Sequence, residues 1–344
     1  MNPIVANTYM DLMKLPYIKF LCFLLLLSRA LSAQTTVTSD VVGYLKIPCL
    51  GGSDTVVGVP LPKNTVVNSI VDSVNVGASQ ITLSLITMTA SEYQDSHFVR
   101  FGDNSSLEGA KMTISANTND TLTLDPVSGY NLSDLSTGDE LAIIPHTTLS
   151  ELFESVATIP DGTEVLYFDS TGASINKSSV GGYVYYAPTW YDADTFTDAG
   201  QAVLFPDDAL IVRVPGDASN DFDLILSGAV PNVGHSFPIV TSSAGANDNL
   251  VSPQIPTPVA ISTLFSNPSD GDEILVIDNT VRAINKSSSA GYVYYSPSWY
   301  NSDDFSVSND VKLNPWELAV YRRADQGGQS AVIFSGRDDY LNNL

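Results

Sequence analysis

The chain has 344 residues, 44% of them hydrophobic and only 15% charged, enough length and apolar content for two or more cores. Its charge is lopsided, with 15 Lys and Arg against 38 Asp and Glu, a formal net charge of −23. That excess argues against nucleic acid and anionic lipid as partners, because both are polyanions held through clustered Lys and Arg; it suits a solvated extracellular surface.

In chain order, the first element is an export signal. Lys14 to Lys19 make a short basic region, residues 20–27 (FLCFLLLL) an apolar run, and Leu31-Ser32-Ala33 a small-residue cleavage site before Gln34. A bilayer span needs about 20 apolar residues, so this run is too short to cross, and no later segment approaches that length. Residues 1–33 are therefore expected to be removed as a signal peptide, for which Met13 is an adequate start. The mature chain is expected to be secreted, at the cell surface or periplasmic, with no transmembrane segment. Cys22 leaves with the signal and Cys49 remains alone, so no internal disulfide is available and stability has to come from core burial.

Downstream, the chain repeats itself. Residues 175–191 (INKSSVGGYVYYAPTWY) and 284–300 (INKSSSAGYVYYSPSWY) agree at 13 of 17 positions with a constant offset of 109. The match extends upstream to Asp161-Gly162 and Asp270-Gly271, and downstream through Phe196 and Phe305 to Leu204-Phe205-Pro206 and Leu313-Asn314-Pro315. Each copy then runs into an apolar stretch with an arginine, ALIVRVP (209–215) or ELAVYRR (317–323), and closes on LILSG (224–228) or VIFSG (332–336). A weaker match aligns the openings, Val42-Gly43 with Val233-Gly234 and DTVVGVPLPKNTVVNSI with DNLVSPQIPTPVAISTL. Duplication is the reading, and about 75 residues from near Val71 to Thr147 are extra in the first copy. Long additions at surface turns cost little loop-closure entropy.

The extra segment holds short alternating runs, residues 81–89, 96–102, 110–125 and 138–145, separated by Asn, Asp, Gly and Ser. That pattern predicts a small antiparallel sheet or barrel, with Asn117 to Asp120 a hairpin turn between two pairing strands. Short helices are expected only at Leu149 to Val156 and Ile261 to Phe265. Elsewhere β-branched and aromatic residues punctuated by 23 Gly and 19 Pro predict strands and turns. The fold class is thus all-β: two related β-sandwich or barrel-like units, the first interrupted by a small β module. The expected boundaries are 34–75 plus 149–232 for the first unit, 76–148 for the insert and 233–344 for the second.

The order of a VG…P…VPLP opening, NTND followed by TLTLD, GDELAIIP, LSELF, GDEIL, INKS, YVYY and a closing strand with arginine resembles an uncharacterised family of exported, internally duplicated proteins of Verrucomicrobiota. The resemblance spans nearly all of the mature chain. It implies a bacterial envelope or secreted setting and carries no activity or site residues.

Two sets of residues are candidates for function. Alternation places Tyr183 and Tyr185 on one strand face with Val184 and Tyr186 on the other; Tyr292, Tyr294, Val293 and Tyr295 repeat this, and Trp190 and Trp299 follow a proline-containing turn. Tyr183, Tyr185, Trp190, Tyr292, Tyr294 and Trp299 are either a ring platform for sugars or a partner surface, or the shared core of both units. Asp192, Asp194, Asp198, Asp303, Asp304 and Asp310 are the candidate calcium ligands, although their spacing is not that of an EF-hand; Asp217, Asp221 and Asp223 form a looser group. Lys177 and Lys286, and Arg213 and Arg322, are rare cations at equivalent places that close turns or pair with aspartates. His97, His146 and His235 have no metal-ligand spacing, and neither GxSxG nor GxxxxGK[ST] occurs. The expectation is a non-catalytic structural or adhesive envelope protein without a required cofactor, contacting glycans or other envelope proteins. A carbohydrate-binding module and a secreted hydrolase are the alternatives.

Overall fold

A computed structural model describes residues 41–341 except 85, 169–173, 243–244, 253, 266, 316, 318, 325–330 and 338–339; the expected signal peptide lies outside the described residues. The chain is nearly all β. It opens with β1 (Val42–Cys49) and β2 (Ser53–Gly58), then runs through β3 (Val67–Asn75), β4 (Gln80–Ser84), β5 (His97–Phe101), β6 (Lys111–Asn117), β7 (Thr121–Leu124) and β8 (Glu140–Pro145). There follow β9 (Thr147–Thr148), helix α1 (Leu149–Leu152), β10 (Glu164–Tyr167), β11 (Gly181–Tyr186), β12 (Thr189–Asp192), β13 (Val203–Leu204), β14 (Ala209–Val214) and β15 (Phe222–Ala229). The last stretch holds β16 (His235–Val240), β17 (Asn247–Val251), β18 (Val259–Ala260), helix α2 (Ile261–Leu264), β19 (Glu273–Val276), β20 (Ala290–Tyr295), β21 (Ser298–Asn301), β22 (Lys312–Leu313), β23 (Ala319–Arg323) and β24 (Ala331–Gly336).

Strands β3 to β8 close into a six-stranded barrel in the order β3-β4-β7-β6-β5-β8. The hairpin at residues 117–120 joins β6 to β7, with Asn117 opposite Leu122. Alternating Ile81 and Leu83, Met112 and Ile114, Leu122 and Leu124 point inward and fill the barrel with Phe101 and Ile143. The barrel starts earlier than the boundary at 76: Val67 to Asn75 is its first strand, pairing with β4 and β8. Residues 65–70 are therefore not the counterpart of 258–264. That place is taken by Thr147-Thr148 and α1, which match Val259-Ala260 and α2. A capping box between Thr148 and Glu151 starts α1.

The two copies have one topology. In the first, β12-β11-β10-β14-β2 form a five-stranded sheet with β1-β15 as a separate pair; in the second, β21-β20-β19-β23-β17 and β16-β24 repeat it. Each pair covers a sheet, and the cores match: Ile47, Val165, Trp190, Val212 and Leu224 in one, Phe237, Ile274, Trp299, Tyr321 and Phe334 in the other. Cys49 is buried and unpaired, and burial pushes its thiol up to about 12.

Strand β2 ends its sheet, yet all six of its residues are buried. An edge strand needs cover for its free backbone groups, and the other copy supplies it. Asn279 presents its side-chain amide to β2 like a neighbouring strand: Oδ1 accepts from Val56 N–H at 2.9 Å and Nδ2 donates to Val56 O at 2.8 Å. Asp54 N–H donates to Ala283 O at 2.9 Å. Gly58 lies so close to the second copy that a Cβ there would meet Ser252 Oγ at 1.3 Å. Val56, Ile211, Leu250, Ile277 and Val320 form a shared apolar cluster.

The contact is reciprocal. Within the first copy Arg213 binds Asp54 with two bonds, 2.7 and 3.0 Å, and also donates to Asn285 Oδ1 of the second copy at 2.9 Å; Asn285 N–H donates to Asp54 at 2.7 Å. Arg322 binds Asp248 at 2.7 and 3.1 Å and donates to Asn176 Oδ1 of the first copy at 3.1 Å, while Asn176 N–H donates to Asp248 at 2.6 Å. The same patch used in both directions marks a pseudo-twofold, isologous interface. It requires left-handed backbone at Asn176 (φ 51°) and Asn285 (φ 53°), which asparagine tolerates better than most residues. The repeated INKS segment is thus the interface element. Lys286 closes its own turn by donating to Asp278 O at 3.0 Å. No helix among the described residues is long and apolar enough to cross a membrane.

One difference between the copies is informative. Asp272, fully buried, accepts from Tyr321 Oη, Arg323, Ala324 N–H and Ser269 N–H, where the first copy has Thr163, Val212 and Val214.

Two outcomes follow from these buried charges. Arg213→Ala and Arg322→Ala each strand a buried aspartate and should cost about 3–5 kcal/mol in urea unfolding, whereas Asn285→Ala should cost only about 1 kcal/mol. Arg323→Val alone should be similarly damaging. Adding Asp272→Thr and Tyr321→Phe should restore most of the loss, because an apolar replacement of a whole buried ion pair is often neutral.

Candidate functional site

The two tryptophans belong to the cores. Trp190 and Trp299 are 2% and 1% exposed, ringed by Phe153 and Tyr185 in one copy and by Phe265, Tyr294 and Tyr321 in the other. Tyr292 is buried as well, and Tyr183, Tyr185 and Tyr294 are half-buried against the same cores. Of the two readings, Trp190, Trp299 and Tyr292 take the core one, since a ring closed over on both faces has no surface to stack on a ligand, while Tyr183, Tyr185 and Tyr294 keep one part exposed.

The exposed aromatics are a different set. Tyr186 ends β11 and is 44% exposed, and Tyr295 at the end of β20 is 45% exposed. Beyond each following strand lies a phenylalanine, Phe196 or Phe305, exposed to 59% and 58%. Phe196 packs between Tyr191 (centroids 4.9 Å, planes 12° apart) and Tyr186 (5.9 Å); Phe305 packs between Tyr300 (5.6 Å, 25°) and Tyr295 (6.0 Å). Both phenylalanines adopt left-handed backbone, φ 57° and 59°. For a bulky residue this conformation costs on the order of 1–3 kcal/mol and persists only where its surroundings impose it.

The surroundings are the acidic loops. Asp192 Oδ1 accepts from the N–H groups of Asp194 (3.1 Å) and Thr195 (2.8 Å) and from the Thr195 hydroxyl (2.9 Å), bonds that hold its carboxyl below the usual range. Phe196 N–H closes the turn on Asp192 O at 2.9 Å. Asn301 does the same work in the second copy, accepting from Asp303 N–H at 2.7 Å while Phe305 N–H donates to its carbonyl at 3.0 Å. A neutral amide serves where the first copy has a carboxylate, so the loop needs an acceptor and not a charge. Asp198 accepts from Gly200 N–H, Asp304 from Ser306, and Asp194, Asp303 and Asp310 are exposed. Asp217, Asp221 and Asp223 are spent separately, on Ser219, Arg282 and Lys46. Among the described residues no group of three or more His, Cys, Asp or Glu converges to hold a metal ion, and Asp192, Asp198 and Asp304 act as turn caps. At the base of each tip Asp161 and Asp270 accept the N–H of Ala187 and Ser296, both at 2.8 Å, beside the cis bonds to Pro188 and Pro297.

A second site exists only where the barrel meets both copies, a cleft of about 340 Å³ walled by Phe98, Met112, Val127, Phe205, Phe237 and Leu250. Across it Lys111 of β6 reaches both carboxylate oxygens of Asp207, 3.0 and 2.8 Å, and the carbonyl of Ser236 at 3.3 Å. Tyr130 Oη bonds Ser236 Oγ at 3.0 Å. Asp208, beside that ion pair, has its carboxyl raised to about 7 by burial first and by the Asp207 charge second. His146 at the barrel end packs edge-on to Phe205 (5.5 Å), and burial lowers it to about 4.

Nothing among the three histidines, the Tyr/Trp motif or the acidic loops pointed to this cleft, because its walls come from segments far apart in sequence. The aromatic tips had a signal: Phe196 and Phe305 recur at the 109 offset outside any alternating strand. Compared with known proteins, the chain matches no family model, no curated protein and no solved structure.

The two shifted groups give opposite pH slopes. Asp208, with a folded value above the roughly 3.9 of an unfolded Asp, adds stability at low pH that is lost as pH rises through about 7. His146, depressed below the roughly 6.5 of an unfolded His, adds stability above that value that is lost as pH falls toward about 4. Thermal melts should therefore show Asp208→Asn more stable than wild type at pH 8 and equal to it near pH 4, and His146→Gln less acid-sensitive than wild type.

Proposed function

We propose that this protein is an exported, non-catalytic adhesive component of the bacterial envelope or extracellular space, attaching through its two aromatic tips. The observation that carries this reading is the pair of solvent-exposed ring stacks, each built around a phenylalanine forced into left-handed backbone. Strain of that kind has no folding purpose, since Asn or Gly would fit the turn better, and it keeps an apolar ring in water twice over. The reciprocal clasp supports it further: two tips on mutually locked repeats bind a repetitive surface with avidity that neither has alone. The acidic surface and the lack of catalytic motifs agree with an adhesive role.

A carbohydrate ligand is the second reading, favoured by the open faces of Phe196 and Phe305, which suit the apolar face of a sugar ring. Retention on insoluble polysaccharide separates the two. Under the first reading the protein adheres to envelope preparations and not to cellulose or chitin; under the second it is held by polysaccharide and released by soluble oligosaccharide. In either case Phe196→Asn combined with Phe305→Asn should reduce retention by about a hundredfold or more through lost avidity, with no fall in melting temperature because the strained backbone relaxes. Retention unchanged in the double variant would end the proposal.

A further inference from the structure

In the cleft at the three-way junction the charged and hydrogen-bonding side chains are held by near neighbours, with Asp208 as the exception. Lys111 is bound to Asp207 and Ser236, and the Asp207 carboxylate also accepts from Gln254 N–H at 3.1 Å. Tyr130 is bound to Ser236, and the Asn249 side chain accepts from Val240 N–H at 2.8 Å and donates to Val240 O at 3.1 Å. Asp208 lines the same cleft, half-buried, and no donor or cation among the described residues pairs with its carboxyl. Desolvated carboxyl groups are stabilised by a partner, and the fully buried aspartates among the described residues have one: Asp54, Asp248 and Asp272 each hold an arginine, and Asp139 accepts from Ser105 and Ser136.

The cleft is also particular to the first copy. The counterparts of Asp207 and Asp208 at the 109 offset are Trp316 and Glu317; Glu317 accepts from Asn314 N–H at 2.9 Å, closing its own turn, and the second copy has no barrel inserted to build walls. Asp207, by contrast, is held at φ 68° with its carboxylate turned to Lys111 of the barrel. The insertion therefore supplies part of the apolar wall, Phe98, Met112 and Val127, and the Lys111 that takes up Asp207 while Asp208 stays unpaired. We propose that this cleft binds a small organic cation, a primary ammonium group on an aromatic or aliphatic body, with Asp208 as counter-ion and Phe98, Phe205 and Phe237 enclosing the body. A sugar would need several free donors and acceptors, which the cleft does not offer. Its volume, about 340 Å³, is that of a small-molecule site.

The chemistry dictates the pH dependence. Asp208 has to lose its proton to hold an ammonium ion, and its carboxyl is raised to about 7. Of the other groups facing it, Asp207 and Lys111 are bound to each other, burial pushes the Tyr130 phenol well above its ordinary value, and burial holds His146, behind Phe205, down at about 4. His235 on β16 lines a separate cleft beside Gly336 and Arg337.

Phenethylamine is a suitable probe, with 2-phenylethanol as its uncharged analogue, measured by calorimetry or ligand-observed NMR on the intact protein. Phenethylamine is expected to bind about a hundredfold more tightly at pH 8 than at pH 5, since the proton competes for the carboxylate. 2-Phenylethanol should bind weakly and without pH dependence. Asp208→Asn should abolish the pH dependence and bring the amine down to the alcohol, while keeping the wild-type melting temperature near pH 4 as evidence of folding. Equal binding of amine and alcohol at pH 8, an amine affinity untouched by Asp208→Asn, or no binding of either compound up to about 10 mM would overturn the proposal.

Discussion

Burying a carboxylate is costly unless a cation and further donors come with it, and the arrangement of the two repeats follows from that constraint. Asp54 and Asp248 are 2% and 3% exposed. Each needs the arginine opposite it on the next strand, Arg213 or Arg322, and that arginine in turn faces Glu164 or Glu273 one strand further, so a charged row crosses three strands in each sheet. What remains of the hydrogen-bonding capacity of Asp and Arg is met by an asparagine from the other copy. Neither row is complete in isolation. The duplication is therefore a paired unit, with an interface of the kind that two identical chains would make with each other.

With the interface in place, the edge strands β2 and β17 are covered, and the insertion becomes tolerable. The barrel closes its own hydrogen bonds and leaves no edge of its own, so it joins the first repeat without disturbing that repeat's sheet. It touches the second copy through small and polar contacts: Gly109, where a Cβ would lie 2.0 Å from Gly234 O, and Glu108, which accepts from Gly234 N–H at 2.8 Å. A barrel wedged against two already locked units encloses a cleft, and Asp208 lines it with no partner for its carboxyl among the described residues.

The aromatic residues divide by the same logic. A strand whose side chains alternate sends Tyr185 and the cross-strand Trp190 toward the core, and the two ring sets touch at 5.2 Å. The residue after Tyr185 faces outward, and there Tyr186 meets Phe196, which belongs to no strand. Identity between copies could not tell these sets apart, because a shared core and a shared surface feature are retained alike. Burial tells them apart at once.

Much was legible from residues alone. All-β class came from β-branched runs and turn residues, the duplication from the INKS and YVYY segments, and the hairpin at residues 117–120 from its polar turn between alternating strands, since these signals are local and strand periodicity has a fixed length of two. The barrel's first strand at Val67 was missed because its apolar pattern continues that of the opening segment and the closing partner, β8, lies about 70 residues away. The purpose of INKS, the burial of Trp190 and Trp299, the exposure of Phe196 and Phe305, and the isolation of Asp208 were decided only in the folded chain. Each depends on which side chain is brought against which across long separations, and a carboxylate that is paired and one that is not are spelled with the same residue.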